Sequence, residues 1–145
     1  KGNTEVVAEE ISKLTGADLF KVEPVKDYPY NYHECCDVAK EEINNDVRPE
    51  VKKQIDKIDD YDVIYVGGPI WWGHYPCALF TVLEGLDFTG KIVMPFSTHE
   101  GSGLGSIMKD VEKYCKNATI KNGLDIRGSN AKNSKDKIGA WCNHD

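Results

Sequence analysis

Three short segments of this chain hold residue types that could do chemistry together, and each suits a different kind of group. Gly2, Asn3 and Thr4 form a small, polar turn at the start of a helical pattern. Unpaired backbone N–H groups and the helix dipole would favour an anion such as phosphate there. The same residues also fit an ordinary helix cap by Asn3 or Thr4. The second segment, Gly67 through Pro76, places Ile70, Trp71, Trp72 and Tyr75 among glycines and prolines, with Pro69, Gly73 and His74 between them. That composition predicts a stiff apolar wall suited to a planar aromatic ligand. Adjacent side chains usually point different ways, so one of the two indoles is expected in the core or at an interface. The third segment reads Ser97, Thr98, His99, Glu100, Gly101, Ser102, Gly103. Its small residues let backbone approach a ligand, and its hydroxyls and amides could satisfy the polar edge of a heterocycle. A solvated loop is the alternative. His99 beside Glu100 lacks the second histidine of a metalloprotease signature. The stretch Gly101 to Gly105 lacks the central serine of a nucleophile elbow.

The elements between these segments decide whether they can meet. Val63 to Val66 and Ile92 to Met94 are continuous apolar runs, the pattern of strands covered on both faces. Leu79, Val82, Leu83 and Leu86 follow the first run at helical spacing after Pro76. Leu104, Ile107, Met108, Val111 and Cys115 follow the second. Strand, helix, strand, helix implies right-handed crossovers and a parallel sheet. A first amphipathic helix is expected over roughly 4 to 14, ended by Thr15 and Gly16, and a second around Cys36, Ala39 and Ile43. Residues 18 to 25 suit a short strand at a sheet edge, with Pro24 near its end. Residues 118 to 127 read as one strand interrupted at Asn122 and Gly123 rather than as a hairpin. A last helix over 134 to 142 would turn Ile138 and Trp141 to the sheet. In such a sheet, ligands bind outside the carboxyl ends of the strands. The three segments would then share one rim, and a flavin mononucleotide has the matching parts: a phosphate, a ring face and a hydrogen-bonding pyrimidine edge.

Composition narrows the classes further. The chain has 145 residues, 40% of them hydrophobic and 29% charged. A chain this long buries about two-thirds of its unfolded surface, enough for one domain spanning residues 1 to 145. The net charge of -6 has the wrong sign for a nucleic-acid surface. No stretch approaches the roughly 18 apolar residues of a membrane span, and no charged-then-apolar leader opens the chain. Five cysteines, Cys35, Cys36, Cys77, Cys115 and Cys142, include no CxxC pair. Reduced thiols in a cytoplasm are therefore expected, with no role for Cys35 or Cys36 and no metal. The sequon at Asn117 has no meaning without a secretory route.

The chain resembles a short flavodoxin-type protein. The resemblance rests on Gly2, Asn3, Thr4; on Pro69, Ile70, Trp71, Trp72; and on Thr98, His99, Glu100, Gly101, Ser102, Gly103. The stretch Asp87, Phe88, Thr89, Gly90, Lys91, and Gly123, Leu124 and Ile126, are similar to that branch as well. The resemblance implies a three-layer, doubly wound parallel sheet in the order 2-1-3-4-5, binding FMN non-covalently. It implies that Gly2, Asn3 and Thr4 hold the phosphate and that Pro69, Ile70, Trp71, Trp72 and Gly73 cover the ring. Thr98 to Gly103 would meet the pyrimidine edge and the far side of the ring. It also accommodates Pro95 within a strand. Lys1 departs from the hydroxyl residue usual at its position, leaving its charge to act at the phosphate. The family's first strand, about ten to twenty residues with its approach, is expected before Lys1. Without it strands two and three would stand about 10 Å apart.

The resulting expectation is an FMN-binding electron carrier. Its partners would be redox proteins, or a nicotinamide cofactor and small acceptors if it acts as an NAD(P)H-dependent FMN reductase or quinone oxidoreductase. No catalytic acid or nucleophile is required, since the protein's part in flavin chemistry is to bind, orient and tune. A lesser alternative is a dinucleotide-binding domain, from Gly101, Gly103 and Ser106 as an approximate G-x-G-x-x-G turn with Asp125 for a ribose.

Overall fold

A computed structural model describes residues 2–29 and 31–143. The elements in chain order are α1 (Asn3–Thr15), α2 (Tyr32–Asn44), β1 (Val63–Pro69), α3 (Cys77–Glu84), β2 (Ile92–His99), α4 (Ile107–Tyr114), β3 (Thr119–Ile120), β4 (Leu124–Arg127), a 3₁₀ segment (Gly128–Asn133) and α5 (Lys135–Cys142). Among the described residues, no helix is long and apolar enough to cross a membrane.

The sheet is parallel and open, with β2 at its centre: β1 lies on one side, and β3 and β4 share the other. The alternation of side chains along β1 and β2 sends two sets of residues to opposite faces. Val66 and Val93 pack with Phe80 and Leu83 of α3 and Ile107 and Val111 of α4. Phe96, Leu124 and Ile126 pack with Val7 and Ile11 of α1 and Ile138 of α5. Both faces are therefore covered, which is why the strands read as continuous apolar runs. Trp141 turns to the sheet as its spacing predicts, meeting Tyr65 and Phe96 edge to face.

Residues 118 to 127 form one interrupted strand, not a hairpin, because β3 and β4 both run parallel to β2. Pro95 gives the break a physical reason. Lys121 donates its N–H to the Val93 carbonyl, so residues of that parity in β2 face the fifth strand position. Pro95 shares the parity and has no N–H to offer. The ladder accordingly stops after Ile120 and resumes where Leu124 pairs with Phe96. Trp141 Nε1 donates to the Asn122 carbonyl left in the gap, over 2.9 Å. Proline and interruption thus sit side by side in a central ladder.

One expected strand does not form. Residues 17–23 are irregular, and the segment makes only an isolated antiparallel bridge from Pro24 to Val51. A strand needs a neighbouring ladder to satisfy its backbone, and among the described residues no strand lies beside this one. Leu19, read as part of its apolar pattern, is 57% exposed. Three helix-pattern residues also fall just outside their helices. Leu86 follows the α3 cap at Gly85, Leu104 precedes α4 and Cys115 caps its end, yet all three pack on the same core cluster.

Candidate functional site

The carboxyl ends of β1 and β2 and the amino end of α1 meet at one rim. Gly2 caps α1 with an extended backbone and no side-chain cap bond, and its carbonyl accepts the first helical hydrogen bond, from Val6 N–H, at 3.1 Å. The N–H groups of the first turn have no intrahelical acceptor. They form a positive helix end open to an anion. The alternative of an Asn3 or Thr4 side-chain cap is not what forms. Thr4 instead turns its hydroxyl to Thr98 of β2, at 2.7 Å between oxygens. The Asn3 amide and the Glu100 carboxylate converge on Gly128, where an added Cβ would collide with both. Lys1 lies outside the described residues.

The apolar wall is a tight turn. Trp71 N–H donates to the His74 carbonyl at 2.7 Å, and His74 N–H returns to Trp71 at 3.1 Å. The two central residues, Trp72 and Gly73, have φ of 54° and 86°. Positive φ at both positions marks a type I′ turn, a conformation costly for a tryptophan. The two indoles point apart, as expected for neighbours. Trp71 is half-buried and meets the edge of Tyr28, with ring centroids 4.9 Å apart. Trp72 is 52% exposed; its Nε1 donates to the Cys36 carbonyl of α2 at 2.8 Å, and Lys40 Nζ stands 5.0 Å from its ring. Behind Trp71, Tyr28 donates its hydroxyl to Glu42 at 2.5 Å, and burial is the first cause that pushes its phenol pKa far up.

This turn is fastened to the end of β2 and to the residues that lead into α4. Ile70 N–H donates to the Thr98 carbonyl at 3.2 Å, and Ser106 N–H to the Gly73 carbonyl at 2.6 Å. The approach of Gly73 to Gly105 leaves no room for a side chain, since a Cβ on Gly105 would lie 2.7 Å from the Gly73 oxygen. His74 Nδ1 bonds both oxygens of the buried Asp110, at 2.9 and 3.2 Å, and Tyr75 N–H adds a contact to the same carboxylate at 3.4 Å.

Ser97 and Thr98 are strand residues rather than loop residues, both buried at the end of β2. Ser97 donates to the Gly103 carbonyl at 2.8 Å and so folds the loop back on its own strand. His99 bonds Asp125 and Gly101, each at 2.9 Å, while Arg127 donates to the Glu100 carbonyl at 3.2 Å. Glu100, Gly101 and Ser102 are exposed, the part of the loop open to a ligand. The Asp125 carboxylate that a dinucleotide-binding reading would give to a ribose is held by His99. All three segments thus reach one rim, with the Thr98 hydroxyl and carbonyl joining the first two.

Sequence reasoning missed four contributors. Tyr28 reads as part of a turn and Arg127 as the end of a strand, while Asp110 and Gly128 carry no signal in the sequence reading. Each acquires its place only through a partner distant in sequence. Two grooves lie away from this rim. One, of about 410 Å³, opens beside Met94, Asn122 and Trp141; the other, of about 370 Å³, lies at the amino end of the sheet beside Phe88, Lys113 and Asn117. No metal-binding group of histidine, cysteine or carboxylate residues occurs among the described residues, and no disulfide joins the five cysteines.

Similar proteins share this fold. A protein of Bacteroides eggerthii DSM 20697 assigned as a flavoprotein superimposes with a TM-score of 0.83 at 28% identity, over 99% of this chain and 90% of its own. A second from Bacteroides uniformis ATCC 8492 gives 0.82 at 24% identity, over 97% and 90%. The fold also matches a Lactobacillus acidophilus NCFM flavoprotein solved in complex with FMN, at a TM-score of 0.69 and 21% identity, over 93% and 89%. No curated protein matches this chain in sequence. A flavodoxin family model matches residues 1–145, and the chain belongs to the flavodoxin family.

Proposed function

We propose that this protein holds FMN non-covalently at the rim and carries electrons on it. The observation that carries the reading is the meeting of an open helix amino end, an aromatic turn and a polar loop around Thr98, joined by the 2.7 Å contact to Thr4. Membership of the flavodoxin family supports FMN as the cofactor, and the Lactobacillus acidophilus relative is an FMN complex.

The residues present suit the three parts of that molecule. The backbone N–H groups of Asn3 and Thr4, with the α1 dipole behind them, would hold the phosphate. Gly2, which has open space around its missing side chain, lets that group approach. Pro69 to Gly73 would bound the ring, with Trp71 braced from behind by Tyr28. Glu100, Gly101, Ser102 and Gly103 would meet the pyrimidine edge through backbone groups and the Ser102 hydroxyl. Bound FMN supplies the redox chemistry; the chain supplies binding, orientation and an acidic surround. Redox proteins, or a nicotinamide cofactor with small acceptors, are the partners this reading proposes.

Titration of the purified protein with FMN tests it, followed by quenching of flavin fluorescence. Stoichiometric quenching with FMN and weaker binding of riboflavin, which lacks the phosphate, is the expected result. Equal affinity for both would remove the phosphate site. Oxidation of NADH or NADPH by the loaded protein alone would make it a reductase rather than a carrier.

A further inference from the structure

His99 stands at the carboxyl end of β2 with both ring nitrogens engaged. Gly101 N–H lies 2.9 Å from Nδ1, and Asp125 Oδ2 lies 2.9 Å from Nε2. A backbone amide can only donate, so Nδ1 carries no proton, and the proton of the neutral ring sits on Nε2, donated to Asp125. The partners therefore fix one tautomer. The ring is nearly buried, with its side chain 6% exposed, so it meets the loop and β4 rather than solvent.

We propose that His99 is a positioning residue: its neutral ring holds the turn at Glu100 and Gly101 in the shape that meets FMN, and protonation at Nδ1 releases that turn. The proposal rests on the FMN reading above. Protonation would set two donors, Nδ1–H and Gly101 N–H, against each other across the contact. The Nε2–H bond to Asp125 survives and becomes an ion pair, so the ring stays and the turn moves. Gly101 has a φ of 139°, a region open to glycine, which leaves the turn free to rotate.

The surrounding charges act in both directions. From β4, Asp125 favours the protonated ring, while Arg127, bonded to the Glu100 carbonyl, opposes it. From α5, Lys137 donates to the Asp125 carbonyl at 2.8 Å and also opposes it. Glu100, in the turn itself, adds a negative charge on the ligand side. Once Gly101 lets go, Arg127 is the tether that keeps Glu100 on the sheet.

Two measurements test this. In the ¹⁵N-labelled protein without FMN, the His99 ring nitrogens and the Gly101 amide are followed together through a pH titration. The expected result is an Nε2–H tautomer at the upper end and a shared midpoint for ring and amide. The FMN dissociation constant should rise about threefold to tenfold from the upper to the lower end, the worth of one hydrogen bond. His99→Gln should lose that component while keeping the part due to FMN's own phosphate. A Gly101 amide indifferent to the ring's titration, or a His99→Gln variant with the wild-type pH profile, overturns the proposal. Failure of FMN to bind at any pH would instead sink the FMN reading and the affinity half with it, and the ring and amide signals would still decide the latch.

Discussion

The Oγ1 atoms of Thr4 and Thr98 lie 2.7 Å apart, joining the first turn of α1 to the last turn-facing end of β2 across 94 positions of sequence. Each hydroxyl is the other's partner, so removing one leaves the other poorly satisfied. Thr98→Val, which keeps the shape, should cost about 1 kcal/mol of stability. Thr4→Val should cost a similar amount, and the double variant less than the two together, because no orphaned hydroxyl remains. Urea unfolding of the four proteins measures this coupling. Additive losses would mean that the two hydroxyls do not depend on each other.

Trp72 holds a positive φ in a turn that favours Asn or Gly at that place. Its indole is tied to α2 by the bond to the Cys36 carbonyl and by Lys40. Such local strain persists at functional sites because surrounding contacts enforce it. Trp72→Asn should raise the urea midpoint by an amount worth about 0.5 to 1 kcal/mol, while weakening FMN binding. A loss of stability with unchanged affinity would show that the indole serves the fold and not the ligand.

Asp110 is a buried carboxylate whose acceptors are used by His74 and by the Tyr75 N–H. It locks the end of the aromatic turn onto α4. Asp110→Ala leaves the buried Tyr75 N–H and the half-buried His74 ring without their acceptor and should destabilise by about 2 kcal/mol. Asp110→Asn, which keeps an acceptor oxygen in place, should cost less. Equal losses in thermal unfolding would indicate that the space filled by the side chain matters and its oxygens do not.

Much of this architecture is legible in the residues because burial leaves a periodic trace. Val63 to Val66 and Ile92 to Met94 announce strands covered on both faces, and the helical spacings at Val82 or Val111 announce the covers. Even the break at Asn122 and Gly123 is visible, although its partner, Pro95, explains it only once the two are seen side by side. Residues 17–23 mislead because Leu19, Phe20 and Val22 mimic a strand, while strand formation depends on a neighbour that no local pattern specifies. At the rim, the turn residues are legible from their small and aromatic types. Their fastenings are not: Tyr28 under Trp71, Asp110 on His74 and Gly128 between Asn3 and Glu100 arise from packing. The double engagement of His99 has the same origin.

Tyr75 ties β1 to β2, donating its hydroxyl to the Phe96 carbonyl at 2.8 Å and lying 3.1 Å from the Val66 carbonyl. Its ring is fully buried. Burial, with the Asp110 charge as a second cause, pushes its phenol pKa well up. In the unfolded chain a tyrosine loses its proton near pH 10. The folded state keeps the proton beyond that point, so it binds more protons than the unfolded state as the pH rises. Stability linked to this group is therefore fully present below about pH 10 and is lost above it. Half-buried Tyr28, with its raised pKa, acts in the same direction. The urea midpoint should be insensitive to tyrosine ionisation at neutral pH and fall steeply in alkali. Tyr75→Phe should be less stable at neutral pH by about 1 kcal/mol and show a shallower alkaline fall. An alkaline slope identical to that of the wild type would mean that Tyr75 ionises as readily in the folded chain as in the unfolded one.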